Sequence, residues 1–84
     1  MPTISNFYGI IILMHFLDNE HNPPHIHAVM AEMEASFVIA DGRILNGMFP
    51  KRAQKLVREF INQYKIELME MWETGKYYKL PPLE

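Results

Sequence analysis

Two consecutive prolines stiffen the segment His21-Asn22-Pro23-Pro24-His25-Ile26-His27, and no other stretch constrains the fold of this chain as strongly. Each proline fixes its own φ and pushes the residue before it toward extended conformations. Asn22 and Pro23 are therefore expected to be extended and to deliver the chain into a strand beginning near His25. Residues two apart on a strand share a face, so His25 and His27 point the same way. The opposite parity, Ile26, Ala28 and Met30, is apolar and suits a core. Three imidazoles are gathered at little entropic cost, which marks the segment as a built site.

The rest of the chain frames that strand. With 84 residues, 49% of them apolar, residues 1–84 make one domain around a single thin core. A first strand is expected over 8–17, rich in isoleucine and bounded by Gly9 and Asp18-Asn19. It lacks clean alternation and so reads as covered on both faces. The histidine strand follows over 25–30, and a third strand over 34–40 places Ala35, Phe37 and Ile39 on one face. Asp41-Gly42 signals a tight two-residue hairpin, returning the chain as a short strand over 43–46 closed by Gly47. Pro50 suits a first helical position. From Ala53 to Trp72 apolar residues recur at spacings of three and four, an amphipathic stripe that Gly75 can cap. The expected fold class is α+β: a four-stranded, mostly antiparallel sheet under one long helix over 50–74, with an extended tail over 76–84.

The absence of cysteine excludes disulfides and a thiolate zinc site, and it favours a reducing, cytoplasmic location. The apolar run Ile10–Met14 is too short to span a bilayer, and no basic-then-apolar signal precedes it. A soluble chain with no membrane partner is expected. The net charge of −2 hides an asymmetry. Before Pro50 the only cation among Lys and Arg is Arg43; Lys51, Arg52, Lys55 and Arg58 then follow without an acid between them. Glu67, Glu70 and Glu73 sit at the other end of the helical stretch. Helix starts carry partial positive charge and favour acids, so this arrangement is reversed. An anion would complete it, which makes Lys51, Arg52, Lys55 and Arg58 candidate anion-binding residues. So small a patch supports only weak, salt-sensitive nucleic-acid binding; an acidic protein surface is the other partner that fits.

Imidazole chemistry offers three uses for the histidines. Neutral rings ligate divalent transition metals, and His21, His25 and His27 are the candidate ligands, with Asp18, Glu20 or His15 as a fourth. The same three rings are candidate catalytic residues for general acid–base cleavage of a phosphodiester. The third use is architectural, with ring nitrogens bonded to backbone carbonyls as posts that hold a loop. The expectation carried forward is a structural latch that needs no metal. A further cluster, Met69, Trp72, Tyr77 and Tyr78, has the composition of an interface, since so small a sheet cannot cover a long helix.

Together, Pro2-Thr3-Ile4-Ser5, Phe7, Gly9, the isoleucine strand, His-Asn-Pro-Pro-His-Ile-His-Ala at 21–28, Asp41-Gly42, Gly47, Pro50 and Trp72 carry a resemblance. Over nearly its whole length the chain resembles the small bacterial family called domain of unknown function 4160. One departure is visible, because the turn at Ala31-Glu32-Met33 lacks the glycine such members are expected to have. The resemblance implies a chain encoded beside another short protein, an arrangement similar to toxin–antitoxin modules. The function expected is therefore a component of such a two-protein module, acting through protein–protein binding to its operon neighbour or as a homo-oligomer. The alternative is an enzyme using the histidine cluster, either a metal-free ribonuclease or a metal-assisted hydrolase.

Overall fold

The computed structural model describes residues 3–14 and 23–83. His15, Asp18, Glu20, His21 and Asn22 lie outside the described residues. Five strands and two helices follow one another: β1 (Thr3–Phe7), β2 (Ile10–Leu13), β3 (His25–Met30), β4 (Met33–Val38), β5 (Ile44–Gly47), α1 (Lys51–Gln63) and α2 (Lys65–Thr74). The strands form one sheet in the order β1-β2-β3-β4-β5, every pair antiparallel. The expected α+β class holds, with one strand and one helix more than the sequence pattern suggests.

The additional strand arises at Tyr8-Gly9. These residues, expected at the start of a strand over 8–17, are instead the centre of a hairpin in which Phe7 pairs with Ile10. Both turn residues have positive φ, 51° and 80°, as the two-residue turn matching strand twist requires. Asp41-Gly42, by contrast, is not such a turn. Gly42 alone has positive φ there, and five residues separate Val38 from Ile44. The Asp41 carboxylate accepts the backbone N–H of Arg43 at 3.1 Å and its guanidinium at 3.1 Å. The backbone N–H bond is the main cause that holds this carboxyl below its ordinary range, aided by the Arg43 side chain against a partial desolvation.

The third turn spends a residue unsuited to it. Met30 pairs with Met33, leaving Ala31-Glu32 to reverse the chain, and Ala31 has φ 54°. A side-chain-bearing residue in that region costs about 1–2 kcal/mol, part of which glycine returns through unfolded-state entropy. Ala31→Gly is expected to stabilise the fold by about 0.5–1 kcal/mol. A denaturation midpoint that falls in the variant would refute the assignment of strain to this turn.

The core lies between the sheet and the helices. Ser5, Ile12, Ala28, Ala35 and Gly47 are successive partners across the five strands, a row of mostly small residues. Flanking it, Ile10, Ile26 and Phe37 are buried completely, and Ala53, Val57, Phe60 and Ile61 of α1 are buried with them. Phe60 stacks on Phe7 with centroids 5.1 Å apart. Pro50 stands one residue earlier than expected, at the N-cap, with φ −62° and ψ 144°. The single long helix is interrupted at Tyr64, whose φ −116° and ψ 26° leave the helical range. The hydrogen-bond ladder nevertheless runs through it, since Tyr64 N–H reaches Phe60 O and Leu68 N–H reaches Tyr64 O. Tyr64 is held there by its ring packing on Phe60 at 5.1 Å. Gly75 caps α2 with φ 73° and its N–H on Met71 O.

Beyond α2 the tail crosses the edge of β1. The β1–β2 register slips between Thr3 and Ser5, and the carbonyl of the intervening Ile4 accepts the N–H of Leu80 at 2.7 Å. Leu80 is buried there. No helix among the described residues is long and apolar enough to cross a membrane.

Candidate functional site

The histidine strand runs over the residues expected, and its two parities divide as expected. Ile26 and Ala28 are fully buried in the core, while His25 and His27 share the other face with ring centroids 5.0 Å apart and planes at 71°. Both rings are buried, His25 to 5% exposure and His27 to 9%. His25 Nδ1 lies 2.8 Å from the carbonyl of Pro23. A carbonyl only accepts, so Nδ1 carries the proton and donates. The proline pair thus presents the acceptor that orients the ring.

His27 is held from the neighbouring strand. Its direct cross-strand partner is Ser36, whose Oγ lies 3.2 Å from Nδ1. The Glu34 carboxylate stands 3.7 Å from the same nitrogen and attracts the ring whenever it is protonated. Ser36 in turn opposes Asn46 on β5, so a polar row, His27-Ser36-Asn46, crosses the sheet away from its apolar face. Among the described residues no three His, Asp or Glu side chains are grouped to hold a metal ion. His21, the third member of the ligand and catalytic sets, lies outside the described residues.

Trp72 joins the histidines to the helical layer, a connection that sequence spacing does not reveal. Its ring lies 5.1 Å from that of His25 at an angle of 52°, and the residue is buried. Of the other residues in the expected interface cluster, Met69 and Tyr77 are half-buried against the core, whereas Tyr78 is exposed. Desolvation first, then the charges of Glu70 and Glu67, push the Tyr78 phenol above its ordinary range.

The cations occupy the opposite end of β3. Lys51, Arg52 and Lys55 are exposed on the first turns of α1, which has no acid in its first turn and no side-chain cap. Arg52 and Met30 line the same groove, and Met30 is five residues along the strand from His25. That separation is about 16 Å, so the structure does not bring the rings and this basic patch to one place. Arg58, one turn further on, lays its side chain over Gly42, where a Cβ would come within 2.8 Å of Arg58 Cγ. Its guanidinium reaches Gln54 Oε1 at 3.5 Å.

That groove is the feature that sequence reasoning missed. Tyr8, Ile10, Met30, Pro50, Ala53 and Leu56 surround a cavity of about 380 Å³, with Arg52 at its rim. The Tyr8-Gly9 hairpin builds it, by placing Tyr8 at the turn beside the start of α1.

A five-stranded antiparallel meander packed by a broken helix, with a proline-held histidine pair on β3, defines a small α+β domain of one layer on another. The family described as domain of unknown function (DUF4160) matches residues 9–73, and the chain belongs to it. No curated protein and no solved structure matches the chain.

Proposed function

We propose that this chain acts by binding a protein partner, as the small component of a bacterial two-protein module of toxin–antitoxin type. The partner is the short protein encoded beside it. One observation carries the reading: large apolar side chains stand in solvent, with Met48 exposed to 79%, Ile66 to 82% and Tyr8 to 63%. Of these, Tyr8 lines the groove while Ile66 stands apart on α2; exposed apolar groups at a groove mark interaction surfaces, and Tyr and Met are enriched in them. Met33 opposes Met30 of the groove directly, and Met48 N–H bonds to the adjacent Glu34 carbonyl, so three methionines stand at this end of the sheet. Unbranched thioether side chains adapt to a partner's surface.

The test is co-expression with the adjacent gene product, followed by size-exclusion chromatography and a growth assay. Co-elution of the two chains, and a growth effect of one that the other reverses, are the expected results. A chain that stays monomeric with its neighbour present and leaves growth unchanged would remove the proposal.

A further inference from the structure

We infer that the groove between the β1–β2 turn and the start of α1 docks an acidic amphipathic helix of the partner. The inference rests on the protein-binding reading above and adds a site and the chemistry of its occupant. The floor is fixed, because Ile10 and Ala53 belong to the core at 0% and 4% exposure. The walls, Tyr8 and Met30, are exposed and half-buried respectively and can adjust. An apolar floor of this kind takes apolar side chains rather than main chain. β2, which carries Ile10, is paired on both sides and offers no free edge. Side-chain insertion by a helix, with anchors three and four residues apart, is the recognition mode that suits such a floor.

Charge selects the sign of that helix. Arg52 lines the groove, Lys51 and Lys55 stand exposed beside it on the first turns of α1, and none of the three has an ion-pair partner among the described residues. They sit at the positive end of α1, where their charges are unfavourable. Carboxylates from a docked helix would offset both the side chains and the unsatisfied N–H groups of the first turn. Lys51 and Lys55 are separated by about 6 Å along the helix axis, a spread that suits several carboxylates and not a single headgroup.

The probe is a synthetic helical peptide with leucines at every third and fourth position and glutamates elsewhere. A copy with lysines in place of glutamates is the control, and decanoate is a third arm. Binding to the full chain is followed by nuclear magnetic resonance and calorimetry. The acidic peptide is expected to shift the resonances of Tyr8, Met30, Ala53 and Leu56, and to bind less well as salt rises. The Arg52→Glu/Lys55→Glu variant changes exposed residues only and is expected to weaken binding about tenfold. Tyr8→Ser should weaken it without altering the fold. No binding, equal binding of the lysine peptide, or shifts confined to another face would overturn the inference. Decanoate filling the groove while the peptide does not would make it a lipid site and overturn it equally. If the adjacent gene product pairs as tightly with the Arg52→Glu/Lys55→Glu variant as with the native chain, the groove fails while the two-protein reading stands. Peptide capture without any pairing to the neighbour separates the two the other way.

Discussion

Gly47→Ala is expected to destabilise the fold by about 3 kcal/mol or more, as the sum of two independent effects. Gly47 has φ 93°, and a side chain in the left-handed region costs about 1–2 kcal/mol. The second effect is steric. A Cβ on Gly47 would collide with the carbonyl oxygen of Glu34 and lie 2.8 Å from the Cα of Ala35. Both obstacles are backbone on the paired strand β4, so no side chain can swing aside. Overpacking of this kind adds about 1–3 kcal/mol. The movement needed to relieve it also breaks the Met48 N–H to Glu34 carbonyl bond that closes the sheet beyond β5. Gly9→Ala is the internal control, because Gly9 has φ 80° but nothing lies within 4 Å of the place its methyl would take. It should lose only the conformational part, about 1–2 kcal/mol. Chemical denaturation of both variants checks the argument, and equal losses would show that the collision with β4 has no energetic weight.

Trp72→Ala is expected to cost about 3–5 kcal/mol, the range for truncating a large buried aromatic. Domains of this kind are stabilised by only about 5–15 kcal/mol in total, so the variant should sit close to its unfolding transition. The ring it removes bridges α2 to His25, and His25 is in turn tied to Pro23. Trp72→Phe keeps a ring in contact and should recover a substantial part of the loss. Trp72 is the only tryptophan, so circular dichroism and not intrinsic fluorescence must follow the transition. A double-mutant cycle with His25→Ala measures the link between them, since residues in contact couple by about 0.5–3 kcal/mol. Additive losses would mean that the two rings touch without supporting each other.

What could be read from the residues alone depended on whether the signal was local. The histidine strand was legible because prolines and alternation act within a few residues, and its bounds agree with those observed. The helical stripe and the Gly75 cap were legible for the same reason. The Tyr8-Gly9 turn was not, because tyrosine is not a residue that announces positive φ; the strand expected over 8–17 began at the turn itself and left Thr3–Phe7 without a strand. Asp41-Gly42 misled in the other direction: the aspartate caps the loop through Arg43 without adopting the hairpin conformation. Nothing local marks Tyr64 as a break, since no glycine or proline stands there. Its departure accompanies tertiary packing on Phe60. The contact between His25 and Trp72 joins residues 47 positions apart, a proximity visible only once the helix lies on the sheet.

The order β1-β2-β3-β4-β5 has a consequence for how the chain is made. Each strand finds its neighbour immediately before it in sequence, so the sheet can be laid down in the order in which a ribosome releases it. Nearby pairings close small loops and form quickly. The apolar side chains of the sheet, Ile10, Ile12, Ile26 and Phe37, wait for a cover that is synthesised after them. Until α1 emerges, the nascent chain displays a nearly complete sheet with one oily side. Exposed surface of that kind makes folding intermediates prone to aggregate, and the interval before helix release is when this sheet is most open to it.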